Sequence, residues 1–244
     1  MNDYFSVITG CNRGIGKATL TKFACEGKNI VTVTRKADNE FEAFTDSLSK
    51  SYGITILNYY ADFMNENDVL KCARDIAKKK IKINSLINNI GVALPQKSFF
   101  LTKMSTIKEV FQINFFSPLI FTQSIARLMM RDGGSIVFVT SVSAYDGGGN
   151  IEYSGSKAAI IGEVHRLALE LNQYNIRVNG VAPGLTDTDM AQTMNEDDIV
   201  VALNMNIMNR LGKPDEIANV VYFLASDQSS FMTGQIIRAD GGIR

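Results

Sequence analysis

The sequence lacks a net charge, because its 25 basic and 25 acidic side chains cancel over 244 residues. A protein that works on nucleic acid or an anionic membrane needs a basic excess, so neither partner is expected. Histidine is almost missing. His165 is the single one, which leaves little material for a histidine triad or a metal centre, and it falls inside a helical pattern rather than in a loop. The three cysteines, Cys11, Cys25 and Cys72, have neither metal-ligand spacing nor the density of a disulfide framework. A reducing, cytoplasmic compartment is therefore expected. No apolar run approaches the length of a membrane span. The opening MNDYFSVITG lacks the basic, apolar, small-residue order of a signal peptide.

What is present is an alternation of strands and helices. Apolar strand patterns fall at 5–9, 29–35, 54–62, 82–89, 134–141, 175–183 and 234–240. Helical patterns fall at about 16–27, 38–51, 65–80, 104–131 and 152–174, with Pro118 expected to kink or break the long one. Near-continuous apolar strands between helices predict a parallel sheet covered on both faces. No linker or repeat divides the chain. The expectation is one α/β domain over 1–244: a doubly wound, Rossmann-type, seven-stranded parallel sheet with a substrate lid at about 185–212. In such sheets ligands bind beyond the C-terminal strand ends, and the polar clusters of this sequence fall there.

The first strand runs into TGCNRGIGKA, with Gly10, Gly14 and Gly16 spaced G-x3-G-x-G. This differs from the G-x-G-x-x-G dinucleotide fingerprint, but the physical need is the same. Backbone amides and a helix N-terminus must approach phosphate, and side chains would block them. An acid at the end of the second strand would select NAD through the ribose 2′-hydroxyl. That position carries Thr34, Arg35 and Lys36 instead, and Arg13 in the glycine loop adds a second cation. Two guanidinium groups near one ribose suit the 2′-phosphate of NADP(H). Asp62, ending the third strand, is a candidate acceptor for the adenine amino group.

YSGSK puts Tyr153 and Lys157 four residues apart, on one helical face. Free tyrosine titrates near ~10 and gives up its proton reluctantly. A neighbouring ammonium, and the positive nicotinamide of an oxidised cofactor, would stabilise its phenolate.

Together these motifs resemble those of the short-chain dehydrogenases/reductases. TGCNRGIG (9–16) looks like the family's T-G-x-x-x-G-x-G, and NNIG (88–91) looks like N-N-A-G. Asn114 in QINFF matches the helix asparagine, and Ser141 with Tyr153-x-x-x-Lys157 matches the catalytic group. APG (182–184) and ADGG (239–242) complete the order. Ile90, where the family usually has alanine, is a departure beside the cofactor cleft.

The resemblance implies roles. Ser141 orients or polarises a carbonyl. Tyr153 is general acid in reduction and base in oxidation. Lys157 binds the nicotinamide ribose and lowers the tyrosine pKa. Asn114 holds a water that links Lys157 to solvent. Gly10, Asn12, Arg13, Gly14, Ile15, Gly16, Thr34, Arg35, Asp62, Asn89, Gly91, Tyr153, Lys157, Pro183, Gly184 and Thr188 would line the cofactor, with Thr188 reaching the carboxamide.

The subfamily resembled most is that of the 3-oxoacyl-acyl-carrier-protein reductases of fatty acid biosynthesis, on RLGKPDEIANVVYFLASD (210–227) and the NADP signals. The implied substrate is a small-molecule or acyl-thioester ketone, with acyl carrier protein a candidate partner. Asp132 and Tyr174 stand where that group often has docking arginines, and Arg131 or Arg127 are the available substitutes. Alternatives are a sugar or polyol dehydrogenase of the same family, and a nucleotide-sensing protein without chemistry. Met190, Met194, Met205 and Met208 would give the lid an adaptable apolar surface, ordinary helix packing being the other reading. The glycines of DGGGN (146–150) point to an open rim. A homotetramer is the family expectation, with Phe111, Phe115, Phe116, Leu119 and Phe121 as interface or core.

Overall fold

The structure, a computed structural model, describes residues 4–95, 97–189, 191, 199–200 and 203–242. Seven parallel strands form one sheet: β1 (Tyr4–Thr9), β2 (Asn29–Thr34), β3 (Ile56–Tyr60), β4 (Lys82–Asn88), β5 (Gly134–Val139), β6 (Ile176–Pro183) and β7 (Ile236–Ala239). Their order is β3-β2-β1-β4-β5-β6-β7. The helices are α1 (Gly14–Cys25), α2 (Asn39–Tyr52), α3 (Glu66–Lys78), α4 (Met104–Phe111), α5 (Ser117–Met129), α6 (Ser143–Asp146), α7 (Ile151–Leu171) and α8 (Pro214–Ala225).

The chain winds outward from β1 to β3 and then returns to place β4 on the other side of β1. The strand order therefore reverses between β1 and β4, and a crevice opens at their C-terminal ends. Two cores cover the sheet. One joins it to α3, α5 and α7 through Phe63, Phe121, Phe138 and Val164. The other joins it to α1, α2 and α8 through Leu20, Phe23, Phe41 and Val221. Phe23, Phe63, Phe121 and Phe138 are fully buried, and each such side chain contributes about 1.5–3 kcal/mol through lost apolar surface.

The long helical pattern at 104–131 is two helices joined by a π-helical turn, Gln112–Phe116. The break thus comes before Pro118, which sits in the first turn of α5, directly after the π-turn. Of the candidate interface aromatics, Phe121 belongs to the core, while Phe116 is 45% exposed. Helix α8 had no expected element. Its start is marked by Pro214 and by Glu216, whose side chain accepts from the Lys213 N–H at 2.7 Å.

Candidate active site

The crevice is built first by backbone pinning. Thr9 at the end of β1 accepts on Oγ1 from the N–H groups of Asn89 and Ile90, at 3.1 and 3.2 Å. The Asn89 carboxamide donates to the carbonyls of Thr9 and Gly10 at 3.2 and 2.9 Å. Asn89 thereby ties the glycine loop to the end of β4. A Cβ on Gly16 would lie 2.1 Å from the Gly10 carbonyl oxygen, so no other residue fits there. Gly10 and Gly14 have φ of 65° and 52°, a region that favours glycine.

The glycine loop fits a nucleotide diphosphate. Helices α2 and α3 are capped by Asp38 and Asn65 side chains, but α1 has no side-chain cap and no acid in its first turn. Its free N–H donors and positive end of the dipole suit an anion. An open cleft lined by Gly14, Lys17, Asp187, Thr188 and Asp189 borders it. Asn12 and Arg13 are exposed and Ile15 is half-buried. Thr188 comes within 3.2 Å of where a Gly14 side chain would begin.

The Arg13 guanidinium lies 3.6 Å from the Asp189 carboxylate, both exposed. Thr34 is buried at the end of β2, and Arg35 follows it exposed to solvent. The Asp62 carboxylate accepts from the Met64 N–H at 2.9 Å, shaping the turn after β3. Pro183 is buried at the end of β6, and Gly184 packs so tightly on Asp240 that a Cβ would meet its Cα at 2.7 Å.

The side chains expected to react converge from the end of β5 and from α7. Ser141 is buried just beyond β5; its Oγ donates to Ser143 Oγ at 3.1 Å and accepts from the Ser143 N–H at 3.1 Å. The Ser141 and Tyr153 hydroxyls are neighbours. Burial raises the Tyr153 pKa above its ordinary value, and the adjacent Ser141 hydroxyl pulls it partly back. Lys157 is buried without a counter-charge, and its pKa falls to about 8. Its Nζ donates to the Val139 carbonyl at 2.9 Å and lies 5.9 Å from the Tyr153 ring centroid. Thr140 Oγ1 donates to the Lys157 carbonyl at 2.7 Å, locking α7 to the end of β5. In the protein alone, burial outweighs any lowering of the tyrosine pKa by Lys157.

Asn114 sits in the π-turn, a feature that often marks functional positions. Its Oδ1 accepts from the Val92 N–H at 2.8 Å, and its Nδ2 donates to the Val92 carbonyl and to Ser156 Oγ, each at 3.0 Å. Gly91 lies between the two polar groups: a Cβ there would be 3.0 Å from Lys157 Nζ and 3.5 Å from Asn114 Oδ1. Of the residues expected from the sequence, Ser141, Tyr153, Lys157, Gly91 and Asn114 lie in one group, and Gly10, Gly14, Gly16, Asn89 and Thr188 in a second around the glycine loop; Arg35, Asp62 and Asn12 have no contact with either group among the described hydrogen bonds and ion pairs. Thr9, Thr140, Asn150 and Asp189 were not singled out as site residues. Asn150 alone carried a sequence signal, as a capping-type residue opening the YSGSK helix.

The ends of the 185–212 segment are tied together. Thr186 bridges Gly212, the Gly212 N–H donates to Leu185 O at 3.0 Å, and the Asp187 N–H donates to Gly212 O at 2.9 Å. Met205 and Met208 are 43% and 63% exposed, which excludes core packing for these two. Met190 and Met194 lie outside the described residues. Among the described residues no group of His, Cys, Asp or Glu could hold a metal ion, and no helix is long and apolar enough to cross a membrane.

The sequence model of a family described as enoyl-(acyl carrier protein) reductase matches residues 10–244. The chain is 32% identical over 240 residues to 3-oxoacyl-[acyl-carrier-protein] reductase FabG of Aquifex aeolicus, covering 98% of this chain and 96% of the relative. It is 30% identical to L-rhamnose 1-dehydrogenase (NADP(+)) of Thermoplasma acidophilum, covering 98% and 95%. Its fold superposes with a TM-score of 0.89, at 31% identity, on 7α-hydroxysteroid dehydrogenase complexed with NADH and 7-oxo glycochenodeoxycholic acid, covering 98% and 94% of the two chains. With its glycine loop, its Ser141, Tyr153 and Lys157 cluster and its full-length matches, the chain belongs to the short-chain dehydrogenase/reductase family, nicotinamide-dependent oxidoreductases acting on CH–OH groups.

Proposed function

We propose that the protein is an NADPH-dependent reductase that converts a ketone to a secondary alcohol, with a 3-oxoacyl thioester as its substrate. The observation that supports this most is the convergence of Ser141 and Tyr153 with Lys157 Nζ 5.9 Å from the tyrosine ring. The glycine loop and Lys157 would hold NADPH, which would supply the hydride. Tyr153 donates its phenolic proton to the carbonyl oxygen as negative charge builds there, and Ser141 orients that oxygen by hydrogen bonding. The raised pKa keeps Tyr153 protonated before transfer, as an acid must be. The Lys157 ammonium then stabilises the phenolate left behind. Asn114, already bonded to Val92 and Ser156, offers its remaining oxygen lone pair to a water that carries the replacement proton.

The preference for NADPH rests on Arg13 and Arg35 and on the absence of a carboxylate after β2. The segment 185–212 acts as a lid, hinged where Leu185–Asp187 meets Gly212. Acyl carrier protein is the candidate macromolecular partner. The exposed Phe116, in the π-turn before α5, and Leu169 on α7 support assembly into a homotetramer through these elements. The second reading, a sugar or polyol dehydrogenase, is favoured by the identity to L-rhamnose 1-dehydrogenase, close to that for the acyl reductases. An NADPH-oxidation screen over free and carrier-bound 3-oxoacyl thioesters and keto-sugars separates them. Turnover of thioesters is expected; turnover of keto-sugars alone would replace the first reading with the second.

A further inference from the structure

Asn150 stands at the N-cap of α7, three residues before Tyr153. Asparagine in that position normally turns its side chain onto the first helical N–H groups. Here it makes no such bond. The side chain is buried and points away from its own helix, onto the chain that follows β4. Its Nδ2 donates to the carbonyls of Leu94 and Pro95 at 2.9 and 3.2 Å, and its Oδ1 accepts from the Lys97 N–H at 3.1 Å. A capping residue has given up its cap to hold a loop.

The same loop is held at its other end by Asn114, through both the N–H and the carbonyl of Val92. Two asparagines therefore fasten one segment. Asn114 holds it beside Lys157 and Gly91, and Asn150 holds it against the start of the helix that carries Tyr153. Beyond Lys97 the chain presents Phe99, Phe100 and Leu101, all exposed. Leu94, Pro95 and Lys97 are exposed as well, and the backbone of each is bonded to the Asn150 carboxamide. The Asn150 backbone carbonyl separately accepts from the Tyr153 and Ser154 N–H groups at 3.1 and 2.9 Å. Those bonds survive loss of the side chain.

We propose that Asn150 is a positioning residue: its carboxamide fixes the backbone at Leu94, Pro95 and Lys97 as a substrate-side wall of the site, a surface against which the ketone binds. This rests on the reading of Tyr153 as proton donor. A wall that contributes equally to ground-state and transition-state binding shows in KM rather than in kcat.

The test is steady-state reduction, with NADPH, of whichever ketone the screen identifies, by Asn150→Ala and the isosteric Asn150→Asp. Asn150→Asp keeps the acceptor for Lys97 but faces two carbonyls with no donor. Both variants are expected to raise the ketone KM by about 10–100-fold, with kcat and NADPH affinity within about threefold of the wild type. Parallel loss of kcat and NADPH affinity would mean that Asn150 merely supports α7 and would overturn the proposal. So would an unchanged KM in Asn150→Asp, which also decides the matter if Asn150→Ala does not fold. Tyr153→Phe, measured alongside, separates the two readings. If it keeps full turnover, the catalytic reading fails; if it is inactive and the Asn150 variants show no KM effect, only this inference fails.

Discussion

The Lys157 ammonium donates to the Val139 carbonyl at 2.9 Å while standing 5.9 Å from the centroid of the Tyr153 ring. One strand end thus fixes the cation beside the proposed proton donor. No carboxylate contributes to its pKa shift, and burial alone brings Lys157 to about 8.

Tyr153→Phe removes the proton donor and leaves the aromatic ring in place. Turnover is expected to fall by ~10²–10⁴-fold, while NADPH binding, followed by fluorescence titration, stays close to wild type. Unchanged turnover would sink the mechanism.

Lys157 is charged below about pH 8 and neutral above it in the free protein. In the proposed mechanism this cation helps bind the cofactor ribose, and it is lost on that rise. NADPH affinity should therefore weaken as pH increases through about 8, and Lys157→Met should bind more weakly at pH 7 with this pH dependence abolished. Titrations across the range would show a flat wild-type profile if Lys157 played no part.

Arg35→Asp restores a carboxylate after β2 and removes one cation. The ratio of NADPH to NADH affinity should fall by about 10–100-fold, since an acid there accepts from a 2′-hydroxyl and repels a 2′-phosphate. Equal affinities in the wild type would refute the role assigned to Arg13 and Arg35.

Glu163 tests the packing of α7 rather than the chemistry. Both of its carboxylate oxygens lack a partner, and burial raises its pKa to about 8. Over the window from the ordinary carboxylate range up to about 8, the folded state keeps a proton that the unfolded state has released. Stability therefore falls as pH rises through that window, by up to ~1.4 kcal/mol per pH unit. Glu163→Gln removes the titration. Urea denaturation should show the variant matching wild type near the low end of the window and exceeding it by about 1–3 kcal/mol at the high end. Equal slopes would place the Glu163 carboxylate in water. The Lys157 contribution begins only where this window closes, so the two do not mix.

The strands were legible because β1, β2, β4, β5 and β6 are buried on both faces and read as runs rich in apolar residues, interrupted by buried polar ones such as Ser6, Thr32, Ser85 and Asn179. Helix α8 was missed although Pro214, Asp215 and Glu216 mark its first turn and Ile217, Ala218, Val221 and Leu224 form its buried stripe. The break near Pro118 was expected at the proline, but the distortion is the π-turn around Asn114, for which no local composition rule exists. The triple glycine at 147–149 suggested an open rim, and its residues are exposed. Asn150, ending the run, is nonetheless buried and bound to a loop 53–56 residues earlier in the chain.

The sequence by itself determined the alternation of strands and helices, the glycine turn, and the spacing that puts Tyr153 and Lys157 on one face of α7. These depend on backbone sterics and on periods of two and 3.6 residues, which are local. Only the tertiary structure decided that Asn89 binds the glycine loop, that Lys157 is half-discharged near pH 8 by burial, that Asp189 faces Arg13, and that Asn150 abandons its cap for segment 94–97. Each of these depends on contacts between distant parts of the chain, or on the water that folding removes, and neither is written in any short stretch of residues.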